Sequence, residues 1–139
     1  MAAWRSFVET QGDLLTAIEA DLQSTDLTLG DYQVLVFLSE ADEHRMRMCD
    51  LADVLQLSPS GLTRRLDGLV RRGLVKRVGS DADRRVMLAV LSDQGRDALQ
   101  AAAPIHVESV RARLVDLLDD DELATLARIF RKVRAELDR

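Results

Sequence analysis

The chain has a single cysteine and no long apolar run, and it lacks the residue pairs typical of enzymes. The lone Cys49 excludes an internal disulfide framework and a metal site built from several cysteines, and it fits a reducing compartment. No apolar stretch approaches the roughly 20 residues that a membrane span needs, so we expect a cytoplasmic protein with no membrane partner. Because nucleophile and base pairs, carboxylate dyads and phosphate-binding glycine loops are also missing, we expect no enzyme activity, cofactor or metal site.

Basic residues are concentrated in one part of an acidic chain. The 139 residues, enough for one domain with its own core, have a net charge of -5. Residues 56–91, however, contain eight Lys and Arg against three Asp and Glu. Charged residues usually form a solvated surface, but a solvated surface does not explain why the positive charge is confined to one segment. This segregation favours a polyanionic partner.

Apolar residues at helical spacing predict most of the chain to be helical. Thr28 with Asp31, and Asp119 with Glu122, resemble capping boxes that open helices. In the short third helix, Leu51, Val54 and Leu55 are expected to face inward. Residues 42–45 are expected to form a polar loop. Apart from the helix at residues 59–72 described next, the predicted helices cover residues 3–22, 28–41, 48–56, 92–118 and 119–137.

The segment with the clearest helix start and stop signals predicts a helix over residues 59–72. Ser58 suits the N-cap, Pro59 suits the first helical position, and Gly73 suits the left-handed residue after the end. Leucines recur on one side of this helix. Thr63 lies on the flank of this helix. The opposite side carries four polar residues at spacings of four, three and four: Ser60, Arg64, Asp67 and Arg71.

Two runs rich in β-branched residues follow this helix, at residues 74–78 and 86–91, and predict a β-hairpin with an extended loop. A short helix, a tight turn, a capped second helix and a hairpin form the order of a winged helix-turn-helix. The fold class is therefore mainly α with a small β-hairpin wing, combined with a helical dimerisation domain. The leucine seam of the last helix is typical of helices that pair.

The segment LSPSGLTRRLDGLVRRGLVKRVGSDADRRVMLAVLSDQG resembles the core of the MarR family of bacterial transcriptional regulators. It has a Leu-x-x-Leu-x-x-x-Gly-Leu-Val helix exit, an Asp-Arg-Arg wing and a Leu-Ser-x-x-Gly helix entry. The segments before and after it follow the family's order over essentially the whole chain. The resemblance implies a single unit over 1–139, with a DNA-binding portion at 28–91 and dimerisation portions at 1–27 and 92–139.

The resemblance also implies a function. It predicts a sequence-specific regulator, a ligand-responsive repressor that acts as a homodimer on a pseudo-palindromic operator in double-stranded DNA. A small aromatic or phenolic effector is expected, with its binding residues unknown. A different class of function is a winged-helix adaptor that binds protein, but a neutral or acidic second helix would be expected there. A purely structural helical bundle would not explain the arginines of the wing.

The resemblance implies that helix 59–72 enters the major groove of DNA and that the wing reaches the minor groove. Hydroxyls suit phosphate oxygens, and arginine suits guanine or a narrow minor groove. Because successive side chains of a strand alternate, the two wing arginines are expected to have different roles, and the alternation does not decide which arginine has which role. Analogy with the family favours Arg85 on DNA and Arg84 paired to the wing brace Asp83. The predicted DNA-binding residues are Ser58, Ser60, Thr63, Arg64, Arg65, Arg77, Arg84 and Arg85.

Cysteine and histidine allow functional and structural interpretations. Cys49 could sense oxidants, but its place beside Met48 favours a buried structural thiol. His106 falls on the apolar stripe of the long helix, which favours a buried or interface histidine over a ligand or metal site. His44 is expected in a loop.

Overall fold

The chain begins and ends with helices, and three short strands from its middle part form a small sheet. The computed structural model describes residues 1–138 and agrees with the predicted fold class. Its helices are α1 (Ala2–Leu22), α2 (Leu29–Glu40), α3 (Met48–Leu55), α4 (Pro59–Arg71), α5 (Asp93–Arg113) and α6 (Asp120–Leu137). Its strands are β1 (Arg45–Arg47), β2 (Val75–Gly79) and β3 (Met87–Leu91).

Side-chain caps begin the helices where the sequence predicted them. Thr28 and Asp31 form a capping box at α2, and the Ser58 hydroxyl accepts a hydrogen bond from the Gly61 amide at 3.1 Å at the start of α4. Asp119 and Glu122 form the capping box of α6. These contacts satisfy amides that the first turn leaves without a helical partner. The predicted helix starts are therefore confirmed.

A glycine ends α4, and the first strand of the wing begins one residue later than predicted. Gly73 has a φ of 74°, and its amide donates to the Val70 carbonyl at 3.0 Å. The Leu74 amide donates to the Leu69 carbonyl at 3.0 Å, which completes a Schellman motif. Leu74 is consequently part of the helix end, and β2 begins at residue 75 instead of 74.

The sheet has three antiparallel strands in the order β1-β3-β2. Strand β1 was not predicted, because Arg45 was expected in a loop. It pairs with the middle strand, with Arg45 opposite Val90 and Arg47 opposite Leu88. Three residues are too few to show a period-two pattern, so the pairing depends on the neighbouring strand and not on local sequence.

The core lies beneath α4, where α2, α3 and the sheet meet. Leu35, Leu38, Leu62 and Leu66 are almost completely buried. The prediction that Val54 faces inward was wrong, because this side chain is 45% exposed. The buried face of α3 runs through Leu51, Ala52 and Leu55, which leaves Val54 at its edge.

Helix α5 is shorter than predicted. It ends at Arg113 and is followed by a 3-10 turn at Val115–Leu117, so Leu114, Leu117 and Leu118 lie outside it. The apolar pattern continues through this turn and therefore gave no signal of the helix end.

The outer faces of α1 and α6 are apolar and exposed. The rings of Phe7 and Phe130 lie 5.8 Å apart and join the two helices, yet each of these side chains is more than 40% exposed. Further exposed apolar side chains lie along the same helices: Trp4, Val8, Leu15, Ile129, Val133 and Leu137. Within residues 1–138, no helix has both the length and the apolar character needed to cross a bilayer.

Candidate nucleic-acid interface

The outward side of α4 presents hydroxyl groups and arginines to solvent. Ser60, Thr63, Arg64 and Arg71 are all exposed. The Thr63 hydroxyl donates to the Pro59 carbonyl at 2.9 Å, so its oxygen can still accept a hydrogen bond. This surface offers hydrogen-bond donors and positive charge over roughly three turns of helix.

Arg64 is available to a binding partner. Its side chain has no hydrogen-bond or ion-pair partner within residues 1–138, and the helix directs it away from the leucines beneath. Ser58, in contrast, is occupied by the helix cap and lies 3.2 Å from the Ser60 hydroxyl. The two serines therefore sit together at the N-terminal end of α4.

Arg65 and Arg77 form contacts within the protein. Arg65 lies on the α2 side of the helix, 3.8 Å from the Asp31 carboxylate. Arg77, on β2, pairs with Asp67 at 2.6 Å and donates to the Thr63 carbonyl at 3.0 Å. These arginines flank the outward side of α4 and do not lie on it, and their contact with DNA stays a prediction. The sequence gave no sign of the Asp67 pair, which joins strand and helix across ten residues.

The wing arginines lie in a turn and not in a strand. The Val86 amide donates to the Asp83 carbonyl at 2.9 Å, which closes a four-residue turn with Arg84 and Arg85 at its centre. The alternation expected of a strand therefore does not apply, because the strands end at Gly79 and begin again at Met87.

Asp83 pairs with Arg85, so the expected pairing with Arg84 was wrong. Its carboxylate accepts the Arg85 amide at 3.0 Å, which is the short-range bond of an Asx turn, and the Arg85 guanidinium at 3.2 and 3.3 Å. The bonds from the Arg85 side chain and then from its amide hold the pKa of the Asp83 carboxyl below its usual value. Arg84 is exposed at the wing tip and has no partner in the described chain.

The cysteine and the two histidines belong to other elements than α4 and the wing. The expectation that Cys49 is buried was wrong: it is exposed in the first turn of α3, with its sulfur 3.7 Å from an Asp50 carboxylate oxygen. His106 packs on the ring of Tyr32 at 4.4 Å, and burial holds its pKa below the ordinary value of 6.5. His44 lies between α2 and β1, in the expected connection. No group of three His, Cys, Asp or Glu suited to a metal occurs within residues 1–138.

Comparison with known proteins shows the family. A family model described as the MarR family matches residues 25–86, which run from the end of α1 to the wing. The crystal structure of AbsC, a MarR family transcriptional regulator from Streptomyces coelicolor, is 37% identical in sequence to this chain. It superposes with a TM-score of 0.95 over 99% of this chain and 93% of its own. The chain belongs to the MarR family.

Other MarR-family relatives match over different lengths. Sco3205 from Streptomyces coelicolor, solved in complex with DNA, is 31% identical, with a TM-score of 0.95 over 99% of this chain and 87% of that one. The transcriptional repressor YetL of Bacillus subtilis is 28% identical over 96 residues. That match spans 69% of this chain but only 58% of YetL. The outward side of α4 and most of the wing lie inside the segment matched by the MarR-family model.

Proposed function

We propose that this chain is a sequence-specific DNA-binding repressor that acts as a homodimer on a pseudo-palindromic operator. Two exposed arginines that have no partner within residues 1–138 carry the proposal: Arg64 on α4 and Arg84 at the tip of the wing that follows it. In a chain with a net charge of -5, unpaired cations on one surface suit a polyanion. The DNA complex of Sco3205 supports the same partner.

Helix α4 enters the major groove in this proposal. Arg64 can bond bidentately to guanine, while the hydroxyls of Ser60 and Thr63 reach phosphates or base edges. Arg84 enters the adjacent minor groove, where a narrow groove concentrates negative potential. Arg85 keeps the wing turn closed through Asp83 and does not itself enter the groove.

A second copy of the chain covers the exposed apolar faces of α1 and α6. Apolar surface of this extent on two adjacent helices is typical of an interface and costly to leave in water. Two-fold symmetry then presents two copies of α4, so the operator should contain half-sites about 10 to 10.5 base pairs apart, or a multiple of that spacing.

The regulatory output is repression, by occupation of a promoter, with release by a small aromatic or phenolic effector. The name of YetL as a repressor supports the first part. The protein works in the cytoplasm, where its DNA target and a reduced Cys49 are found, and it has no catalytic role. A protein-binding adaptor is less favoured, because the exposed side of α4 is basic and not neutral or acidic.

Footprinting on the intergenic DNA upstream of the protein's own gene tests this function. Purified full-length protein should protect two symmetric half-sites, and its affinity should decrease steeply with salt. Arg64→Ala should weaken operator binding, whereas Arg128→Ala, which removes an exposed arginine from α6, should not. Equal binding to the operator and to random duplex, or equal effects of the two variants, would contradict the proposal. A panel of phenolic acids added to the complex tests effector release.

A further inference from the structure

The first turn of α2 contacts two other helices through polar groups. Glu19, on α1, accepts a hydrogen bond from the Leu29 amide at 2.6 Å, where α2 begins. Two residues later, Asp31 accepts the Thr28 amide at 3.2 Å as part of the capping box. The same Asp31 carboxylate faces α4. The turn is therefore hydrogen-bonded to α1 on one side and faces α4 on the other.

Two arginines converge on that single carboxylate: Arg65 within α4, and Arg72, the residue that caps its C-terminal end. Arg65 and Arg72 are seven residues apart, two helical turns, and therefore share one side of α4. Each places a guanidinium nitrogen 3.8 Å from an Asp31 oxygen. The Asp31 side chain is only 17% exposed, so solvent and salt screen these pairs less than pairs on an open surface. One anion thus attracts α4 at its middle and at its end.

A glycine makes room for this contact. The guanidinium of Arg65 lies against the backbone of Gly30, and a methyl group at that position would overlap it. Gly30 lies inside α2, in a conformation that alanine adopts readily. The substitution Gly30→Ala should therefore displace the end of Arg65 while leaving every charge and the helix unchanged.

The opposite side of α4 is also held by an ion pair, between Asp67 and Arg77 of β2. Buried leucines beneath the helix hold it on the core, and their close packing leaves only small rotations. A rotation of about 20° moves a side-chain tip roughly 2 Å at the helix radius of about 5 to 6 Å, which is enough to break a base hydrogen bond. The ion pairs on the two sides of α4 act against such a rotation.

We propose that Asp31 is a positioning residue for DNA recognition: through Arg65 and Arg72 it fixes the rotation of α4, and through Glu19 the same turn is tied to α1. The proposal rests on the DNA-binding function argued above. Asp31 contacts no base or phosphate in this proposal. Its loss should consequently reduce discrimination between sequences, not general attraction to DNA.

Competition binding with full-length dimer tests the proposal on two duplexes, the footprinted operator and a random sequence of equal length. Asp31→Asn should lower operator affinity about tenfold, the equivalent of one misaligned bidentate contact. Affinity for random duplex should stay equal or rise, because the variant removes a negative charge. Asp31→Glu, which keeps the carboxylate and the capping box, should restore the operator preference. Gly30→Ala should lower the preference by a few fold without lowering the melting temperature.

Two outcomes of the competition experiment would overturn the proposal. In the first, Asp31→Asn changes operator and random affinity by the same factor, which would show an effect of charge or of stability only. In the second, both Asp31→Asn and Gly30→Ala keep the wild-type preference. Residual dipolar couplings of α4 amides in the DNA-free protein add a separate measurement, because they should change in Asp31→Asn and not in Asp31→Glu. Absence of operator binding by the wild type would refute the proposed function, while unchanged couplings would refute the positioning role.

Discussion

Arg84→Ala should reduce the salt dependence of DNA binding. Arg84 is exposed at the centre of the wing turn and has no partner within residues 1–138, so its full charge is available to DNA. Each phosphate neutralised contributes about 0.9 to the slope of log affinity against log salt, and a dimer carries two copies, so the slope should decrease by about 1.8. Between about 50 and 200 mM salt, the wild type should lose roughly twelvefold more affinity than the variant.

The matched control removes the wing brace without changing net charge. In the double variant Asp83→Ala with Arg85→Ala, one anion and one cation are lost together, and with them the side-chain bonds that brace the turn, while the backbone bond from Val86 to Asp83 remains. Its salt slope should stay near the wild-type value, while the hairpin amides exchange faster with solvent. In Arg84→Ala the amide exchange should stay at the wild-type rate.

Fluorescence anisotropy on the footprinted operator over a salt series measures the slopes, and hydrogen exchange of the free proteins measures the turn. A wild-type slope for Arg84→Ala would refute the assignment of Arg84 to the groove. If the slope decreased by the same amount in the double variant, the separate roles of the two arginines would be refuted instead.

Arg64→Ala should cost about 1 to 3 kcal/mol on the operator and relax the preference at one symmetric pair of base positions, measured by competition with operator variants. Equal loss on random duplex would show that Arg64 contacts only phosphate. Phe130→Ala should weaken the dimer, as measured by sedimentation. Phe130 is 46% exposed in the single chain. Burying that part of a ring of about 200 Å² contributes about 2 kcal/mol per subunit to the free energy of dimerisation. An unchanged dimer constant would exclude Phe130 from the interface. Burial lowers the pKa of His106 below 6.5, so as pH falls this imidazole takes up its proton in the unfolded chain before it does so in the folded protein. The free energy of unfolding should therefore decrease as pH falls below 6.5. His106→Leu should lose this part of the pH dependence in thermal melts, and an identical pH profile would contradict the assignment.

Local sequence signals were sufficient wherever a short-range contact determines the structure. The helix caps at Thr28, Ser58 and Asp119 each bind an amide three residues away, so spacing alone revealed them. Gly73 likewise marks the end of α4 through its own φ. Predictions failed where a partner lies far along the chain, as in strand β1, or where a turn replaced an assumed strand, as at Arg84.

The sequence by itself determined the order of helices and wing, the concentration of positive charge in residues 56–91 and the outward position of Arg64, because periodicity, caps and charge are properties of neighbouring residues. Only the tertiary structure decided which arginines are available. Arg65 and Arg77 are drawn into pairs with Asp31 and Asp67, which lie 34 and 10 residues away. The Asp83 carboxylate binds Arg85 and leaves Arg84 free of partners in residues 1–138. The reason is that the turn places both the amide and the guanidinium of Arg85 on the side of the Asp83 carboxylate. The partner of a charged side chain depends on distances in space, and a linear pattern does not contain them.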